Sequence, residues 1–104
     1  MIKSASAEEV KQWLEAGQAV VVDVREPSEW AQGHIAGATL VPLATVAMDM
    51  IPSFVGKKLV MQCKSGGRSG KACQILQQQE PELEVYNLEG GIMGWHAAGY
   101  EIKV

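Results

Sequence analysis

The chain has 104 residues, of which 47% are apolar and 20% charged, and its mean hydropathy is zero. This average composition argues against a disordered or low-complexity protein and predicts a single globular domain over residues 1–104. Nine basic against twelve acidic side chains give a net charge of −3, which argues against nucleic acid or an anionic membrane as the main partner. The two cysteines, Cys63 and Cys73, are too few for a disulfide framework and too far apart for a CxxC zinc or redox site.

The first residues lack the apolar segment and the small-residue cleavage site of a signal peptide. The longest apolar run, from Ala19 to Val22, is far shorter than the roughly 20 residues that span a bilayer. We therefore expect a cytoplasmic protein with no membrane partner, whose thiols stay reduced in that compartment.

In chain order, the first predicted helix begins at a capping box, in which Ser6 caps the helix and Glu9 follows three residues later. Apolar residues then recur at helical spacing until Gly17 ends the helix. Residues 19–24 are mostly β-branched and almost continuously apolar, which is typical of a strand buried on both faces of a parallel sheet. Three short elements follow, namely a helix over residues 27–33, a strand over residues 39–41 and a helix over residues 45–50.

A second buried strand is predicted over residues 59–62, and it leads directly into a polar, glycine-rich loop over residues 63–69. The next helix turns its apolar positions toward the sheet and ends at Pro81. A strand over residues 85–88, a Gly90-Gly91 turn and a helix over residues 92–98 follow. Strands that alternate with helices predict a small α/β domain with a mostly parallel sheet and right-handed crossovers.

Cys63 lies at the carboxyl end of a predicted parallel strand, the edge where ligands bind in such folds. The loop after it opens a helix, so its backbone N–H groups can converge into an anion-binding nest at the positive end of the helix dipole. With Lys64 and Arg68 nearby, we expect the pKa of the Cys63 thiol to be lowered and its thiolate to be nucleophilic. The alternative is that Cys63 is only a buried residue at a strand end. Cys73, inside the next helix, is interpreted as a packing residue that forms no disulfide with Cys63.

The segment from Gly66 to Lys71 has some of the features of the phosphate-binding P-loop. That motif requires four residues between its glycines and a Ser or Thr after the lysine. Here three residues separate Gly66 from Gly70, and Ala72 follows Lys71. A nucleotide site of this kind is therefore excluded.

The two histidines, His34 and His96, are far from each other in the sequence. Neither falls into a cluster with the cysteines at the spacing of metal ligands, so we predict no metal site and no other cofactor. We interpret both histidines as structural rather than as a base for Cys63.

Four ordered motifs give the chain a family resemblance. They are Asp23-Val24-Arg25-Glu26-Pro27-x-Glu29-Trp30, Gly33-His34-Ile35-x-Gly37-Ala38, Cys63-Lys64-Ser65-Gly66-Gly67-Arg68-Ser69 and Gly90-Gly91-x-x-x-Trp95. In this order the chain resembles the single-domain rhodaneses, which are thiosulfate-type sulfurtransferases, and the match runs from Val20 to Gly99. The resemblance implies an α/β domain with a central, mostly parallel sheet of about five strands, flanked by helices on both faces.

The resemblance also implies an activity. Cys63 takes the outer sulfur of a small anionic donor such as thiosulfate, becomes a persulfide, and passes the sulfur to cyanide, a thiol or a protein acceptor. The loop that holds donor and persulfide consists of Lys64, Ser65, Gly66, Gly67, Arg68 and Ser69. Arg68 is expected to bind the dianionic donor, together with Lys64, through its bidentate fork. Asp23 and Arg25 match the family's charged strand end, where we expect structural roles, and Arg25 and Glu29 form an i,i+4 pair if the turn is helical.

Spacing within the loop separates two branches of the family. Four residues lie between Cys63 and Arg68, as in the sulfurtransferases, whereas the phosphatase branch has five. A phosphatase or arsenate-reducing role is therefore disfavoured. Two alternatives stay open, namely a carrier that holds persulfide sulfur for a specific protein partner and a scaffold without catalysis, which usually lacks the cysteine.

Overall fold

The computed structural model describes all 104 residues. Five strands form the central sheet, namely β1 (Ile2–Ala5), β2 (Ala19–Asp23), β4 (Thr39–Leu40), β5 (Lys58–Gln62) and β6 (Val85–Leu88). Their order is β1-β6-β5-β2-β4, and every neighbouring pair is parallel. The short strands β3 (His34–Ile35) and β7 (Ile102–Lys103) pair antiparallel in a separate ladder.

Four α-helices accompany the sheet, namely α1 (Ala7–Glu15), α2 (Pro27–Gln32), α3 (Gly67–Gln79) and α4 (Gly91–Ala97). The longest of them, α3, has 13 residues. No helix is both long enough and apolar enough to cross a membrane.

The sheet is buried on both faces, which explains why its central strands are almost continuously apolar. One core cluster contains Leu59 and Met61 of β5 together with Leu76 of α3. The other contains Val60, the residue between them, together with Trp95 of α4. Alternate residues of the same strand thus face helices on opposite sides. The predicted α/β fold, with five parallel strands between helices, is confirmed.

Helix α1 begins at the predicted capping box. The Ser6 hydroxyl accepts a hydrogen bond from the Glu9 N–H at 3.1 Å, and the Glu9 carboxylate accepts one from the Ser6 N–H at 3.0 Å. Two backbone donors that the first turn leaves unpaired are satisfied in this way. The helix ends just before Gly17, whose φ of +68° reverses the chain.

Two local features differ from the sequence-based expectations. β1 was not predicted, because its first three residues are exposed and only Ala5 is buried, so its hydrophobic pattern is weak at the sheet edge. The predicted helix over residues 45–50 is wrong, since two 3₁₀ turns, Leu43–Thr45 and Met48–Met50, occupy this segment. Between them, Val46 is extended and 7% exposed, so insertion of its side chain into the core interrupts the helix.

Candidate active site

The parallel sheet brings the carboxyl ends of β2 and β5 together, and the predicted site residues gather at that edge. Asp23 and Gln62, the last residues of these strands, are register partners. Cys63 follows β5 directly, and residues 64–66 lead from it into α3. Cys63 is 1% exposed, so its sulfur is covered by the loop that follows it.

Hydrogen-bond donors of the loop and of the first turn of α3 reach the Cys63 sulfur. The Gly66 N–H lies 3.1 Å from Sγ, and the Ser69 hydroxyl lies 3.3 Å from it. Gly66 has a φ of +116°, a backbone conformation that residues with side chains rarely adopt, and this conformation directs its N–H toward the sulfur. Because α3 begins at Gly67, the sulfur also lies at the positive end of a long helix.

Burial of the Cys63 thiol opposes its ionisation, and hydrogen bonds to the sulfur favour it. The Ser69 hydroxyl makes the largest favourable contribution, followed by backbone N–H groups of Ser69, Gly66 and Ser65. These hydrogen bonds outweigh burial, so the pKa of Cys63 is lowered below that of an ordinary thiol. The fraction of reactive thiolate at neutral pH rises as a result.

Ser69 is held in turn by Asn87 of β6, a residue that the sequence did not single out. The Ser69 hydroxyl lies 2.6 Å from Asn87 Oδ1, and the Asn87 side-chain amide donates to the Gly66 carbonyl at 3.1 Å. A serine hydroxyl has one proton, so Asn87 and a thiolate at Cys63 compete for it. Asn87 therefore orients both the hydroxyl and the turn that face the sulfur. The available signal was a polar residue within an otherwise apolar strand.

The start of α4 supports the cysteine loop from behind. The N–H groups of Ile92 and Met93 donate to the carbonyls of Cys63 and Lys64 at 2.9 and 3.1 Å. The buried Gln62 amide also donates to the Cys63 carbonyl, at 2.7 Å. A Cβ at Gly91 would lie 2.4 Å from the Lys64 carbonyl oxygen and 2.5 Å from that of Cys63. The Gly90-Gly91 motif thus permits a backbone approach that fixes the loop's carbonyls on the side away from the sulfur.

Arg68 forms a bidentate ion pair with Glu29 of α2. Nη1 donates to Oε1 at 2.6 Å, and Nη2 donates to Oε2 at 2.9 Å. The hydrogen bond from Arg68 lowers the pKa of Glu29 from its ordinary 4.5 to about 2. The Arg68 guanidinium, which we expected to bind the sulfur donor, is therefore occupied by a carboxylate of the protein itself. Lys64 is exposed and makes no ion pair.

The expected pair between Arg25 and Glu29 is wrong. The Arg25 guanidinium binds Asp23, with Nε 3.0 Å from Oδ1 and Nη2 2.8 Å from Oδ2, and Nη2 also donates to the Gly33 carbonyl at 2.7 Å. Arg25 is 6% exposed and Asp23 is fully buried. Helix α2 starts only at Pro27, so Arg25 lies outside it and the helical i,i+4 geometry does not apply. A buried carboxylate two residues away takes the guanidinium instead.

The second thiol is chemically different from the first. Cys73 is fully buried within α3, and burial raises its pKa to about 12. Both thiols are free.

The histidines lie apart from the sulfur. His34 stacks on Trp30 with a ring separation of 3.7 Å, and its Nδ1 lies 3.2 Å from the Trp30 carbonyl oxygen. His96 is exposed in the last turn of α4. Neither histidine makes a hydrogen bond to Cys63, whose sulfur is bound by Gly66 and Ser69.

Known proteins are similar to this chain in both sequence and fold. Residues 6–98 match the rhodanese-like domain family. A sulfurtransferase of Allochromatium vinosum is 35% identical over 103 residues, which cover 98% of this chain and 95% of the relative. The thiosulfate sulfurtransferase GlpE of Pseudoalteromonas translucida is 30% identical over 102 residues, with 98% and 95% covered. An uncharacterized Synechocystis protein is 40% identical over 80 residues, which cover 77% of this chain and 44% of that relative's length.

The fold comparison agrees with the sequence comparison. The crystal structure of a rhodanese-related protein from Thermoplasma volcanium superposes with a TM-score of 0.83 at 30% identity and covers 97% of both chains. A shared fold over nearly the whole length and a family match over residues 6–98 lead to one conclusion: the chain belongs to the rhodanese-like domain family.

Proposed function

We propose that this protein is a thiosulfate-type sulfurtransferase that carries sulfane sulfur as a persulfide on Cys63. The observation that carries the proposal is the placement of the Cys63 sulfur at the start of α3, with the Gly66 N–H and the Ser69 hydroxyl directed at it. These groups stabilise negative charge on sulfur, and both the attacking thiolate and the persulfide product are anions. The names of the Allochromatium and Pseudoalteromonas relatives support the same class of reaction.

In the first half-reaction, the Cys63 thiolate attacks the outer sulfur of thiosulfate. A sulfur–sulfur bond forms at Cys63 as the bond between the outer sulfur and the sulfonate breaks, and sulfite leaves with the electron pair. The enzyme is left as a persulfide whose outer sulfur bears the negative charge. The lowered pKa of Cys63 raises the fraction of protein in which the thiolate is present when the donor arrives, and no proton moves in the attack itself.

The loop residues have different roles in this proposal. The backbone N–H groups of Ser65, Gly66 and Ser69 favour negative charge on the sulfur, and the exposed Lys64 ammonium attracts the dianionic donor. Arg68 is paired with Glu29, and this ion pair fixes the first turn of α3. Because Glu29 neutralises much of the positive charge of Arg68, the guanidinium attracts the donor only weakly. Asp23 and Arg25 hold the neighbouring strand end in place.

In the second half-reaction, a nucleophilic acceptor such as cyanide or a thiolate attacks the outer sulfur of the persulfide. The sulfur–sulfur bond to Cys63 breaks, and its electron pair returns to the Cys63 thiolate. Thiocyanate or a new persulfide is released, and the enzyme is ready for another donor. Neither half-reaction requires a metal or an organic cofactor.

The test is intact-mass measurement of the protein before and after incubation with thiosulfate, followed by a chase with cyanide. We expect the wild type to gain one sulfur atom and to lose it in the chase. Cys63→Ala should gain none. Cys73→Ala is the matched control, since it removes the other thiol, and it should still gain one sulfur. Sulfur on Cys63→Ala, or none on the wild type with any sulfane donor, would contradict the proposal.

The cyanide chase and a phosphatase assay separate the alternative functions. A persulfide that forms but is discharged only by a protein acceptor identifies a sulfur carrier. Hydrolysis of an aryl phosphate by the wild type and not by Cys63→Ala would instead place the protein in the phosphatase branch.

A further inference from the structure

The Ser69 hydroxyl has more acceptors around it than it can serve. Ser69 is fully buried, so bulk solvent does not reach this group. Three acceptors lie close to its Oγ, namely Asn87 Oδ1 at 2.6 Å, the Gly66 carbonyl at 3.2 Å and Cys63 Sγ at 3.3 Å. A hydroxyl has one proton to donate. The state of the site therefore depends on which of these acceptors receives it.

The Gly66 carbonyl determines how the Asn87 amide is oriented. A carbonyl oxygen only accepts hydrogen bonds, so the Asn87 atom that lies 3.1 Å from it is the Nδ2 donor. Oδ1 then faces Ser69, where it only accepts. The reversed amide would place two carbonyl oxygens against each other. Asn87 is thus fixed as an acceptor for the Ser69 proton.

The Gly66 carbonyl itself is a poor competitor for that proton. The Asn87 amide and the Gly70 N–H, at 3.1 and 3.0 Å, already donate to it. A carbonyl oxygen has two lone pairs, and both are taken. The competition is therefore between Asn87 Oδ1 and the Cys63 sulfur.

Gly70 shows how closely the Asn87 amide approaches α3. Glycine in the interior of a helix is destabilising relative to alanine, and Gly70 lies within α3. A Cβ at Gly70 would lie only 3.3 Å from Asn87 Nδ2. The missing side chain leaves room for the amide beside the first turn of the helix.

The charge on Sγ determines the outcome of the competition. A neutral sulfur is a weak acceptor, whereas hydrogen bonds to an ionised acceptor are about twice as strong as neutral ones. With the thiol, the Ser69 hydroxyl donates to Asn87. With the thiolate, it turns to Sγ and Asn87 loses its donor. With a persulfide, the negative charge lies on the outer sulfur and Sγ is neutral again, so the hydroxyl returns to Asn87.

We propose that Asn87 is a positioning residue for sulfur transfer, which accepts the Ser69 hydroxyl whenever Sγ of Cys63 is uncharged and so stabilises the thiol and the persulfide relative to the thiolate. As an electron pair of Sγ forms the bond to the outer sulfur and sulfite leaves, the hydroxyl turns from Sγ to Asn87. As an acceptor removes the outer sulfur, the electron pair returns to Sγ and the hydroxyl turns back. The O–H bond stays intact throughout. The role in the persulfide state rests on the proposed function, whereas the role in the free enzyme does not.

Titration of the free enzyme tests the proposal without any sulfur donor. The Cys63 thiolate is followed by its ultraviolet absorbance, and Cys73, whose pKa is about 12, stays protonated well below that pH. Asn87→Ala removes the competing acceptor, so the pKa of Cys63 should fall. At a pH below this pKa, the thiolate fraction should rise about threefold to tenfold, the effect of one hydrogen bond. Asn87→Val, which suits a strand better, should give the same result.

The direction of this change separates the proposal from a purely structural role. If Asn87 only supported the loop, its loss would move donors away from the sulfur, and the pKa of Cys63 would rise. Gln77→Ala is the matched control, because the Gln77 amide donates to the Leu83 carbonyl at 3.1 Å, the distance found between Asn87 and Gly66. It should leave the titration of Cys63 unchanged.

A second control removes the hydroxyl. In a Ser69→Ala background, Asn87→Ala should not change the thiolate fraction, because Asn87 then has no proton to withhold from the sulfur. All variants keep the same charged groups on the elements around the loop, namely Lys64, the Arg68–Glu29 and Arg25–Asp23 ion pairs, His96 and Glu89.

The equilibrium of the first half-reaction tests the persulfide state. Intact mass gives the loaded fraction at fixed ratios of thiosulfate to sulfite, at a pH above the pKa of Cys63, where the free enzyme is a thiolate. Asn87→Ala should shift this equilibrium about threefold to tenfold toward the free enzyme. Gln77→Ala should not shift it.

The possible failures are distinguishable. A pKa that is unchanged or raised in Asn87→Ala and Asn87→Val, or an equal fall in the Ser69→Ala background, contradicts the positioning role even if sulfur transfer is intact. A wild type that forms no persulfide contradicts the proposed function and the persulfide role of Asn87, and the titration result still stands. A persulfide whose equilibrium does not respond to Asn87→Ala contradicts the persulfide role alone.

Discussion

Two glycine pairs, Gly66-Gly67 and Gly90-Gly91, occupy equivalent positions in neighbouring strand–helix units. The first pair connects β5 to α3, and the second connects β6 to α4. At the first, the Gly66 N–H faces the Cys63 sulfur. At the second, the N–H groups that follow face the carbonyls of the first loop. The same local device therefore binds an anion in one place and supports the anion-binding loop in the other.

The reason for glycine also differs between the two turns. A Cβ at Gly66 would have no atom nearer than 4.0 Å, so only the φ of +116° requires glycine there. A Cβ at Gly91 would overlap backbone atoms at 2.4–2.5 Å, and Gly91 also has a φ of +57°. The anion-binding turn needs a backbone conformation, whereas the supporting turn needs space. Substitutions can test this difference separately.

The largest effect is expected for Gly91→Ala. The new methyl group collides with backbone rather than with a movable side chain, so α4 and the cysteine loop must move apart. We expect a loss of roughly 2–5 kcal/mol of unfolding free energy, from left-handed strain together with overpacking. Sulfur transfer should fall further than stability explains, because the carbonyls of Cys63 and Lys64 lose their donors. Denaturant unfolding and the rate of persulfide formation measure the two effects.

Gly17→Ala is the control for this substitution. Gly17 also has a positive φ, +68°, but a Cβ there would have no atom within 4 Å. It should lose about 1–2 kcal/mol from strain alone and keep its activity. Equal losses of stability in Gly17→Ala and Gly91→Ala would show that close packing at the second turn is unimportant.

Gly66→Ala should have the next largest effect, with a smaller loss of stability and a loss of activity that dominates. Strain of roughly 1–3 kcal/mol is expected at this φ, without a collision. Relaxation of the strain rotates the N–H away from Sγ, and loss of one donor to a developing charge lowers the rate of persulfide formation about a hundredfold. A single-turnover assay on folded protein measures this loss. A variant that is destabilised yet fully active would show that the Gly66 N–H does not serve the sulfur.

Ser69→Ala removes the hydrogen bond that lowers the pKa of Cys63 most, and it leaves both glycine pairs unsubstituted. Because that hydrogen bond lowers the pKa of Cys63, its removal raises the pKa, and the acidic limb of the pH–rate profile moves to higher pH. Near neutral pH the rate should fall about tenfold to a hundredfold, as expected for one hydrogen bond to a charged group. At alkaline pH most of the loss should disappear. A loss of rate that is equal at every pH would contradict this role for the Ser69 hydroxyl.

The sequence predicted local features well and distant pairings poorly. The capping box at Ser6, the buried strands and the loop after Cys63 depend on neighbouring residues, so their patterns are visible in the sequence. The partner of Arg68 is 39 residues away, and the two side chains meet because α2 and α3 follow neighbouring parallel strands, β2 and β5. Arg25 was assigned the wrong carboxylate for a local reason, since α2 begins only at Pro27 and the guanidinium binds Asp23 two residues away. Asn87 could be noticed as a polar residue in a strand, but its contact with Ser69 depends on the order of β5 and β6.

The Glu29–Arg68 ion pair lies beside the Gly66-Gly67 turn and has no counterpart at the Gly90-Gly91 turn. Removal of this ion pair should have the smallest effect of the substitutions considered. The pKa of Glu29 is lowered from 4.5 to about 2, chiefly by the hydrogen bond from Arg68. A carboxylate with a lowered pKa in the folded state contributes stability above pH 4.5, and this contribution is lost as the pH falls toward 2. Both side chains are about one-third exposed, so Glu29→Gln should lose about 0.5–1 kcal/mol at neutral pH.

The difference in unfolding free energy between wild type and Glu29→Gln should therefore be constant near neutrality and shrink in acid. Urea unfolding at a series of pH values measures it. Glu15→Gln serves as the control, because it breaks a pair with Lys11 at 3.0 Å on the open surface of α1, and it should cost only about 0.2–0.5 kcal/mol. If the difference for Glu29→Gln does not shrink between pH 4.5 and 2, the carboxylate is not held ionised by Arg68.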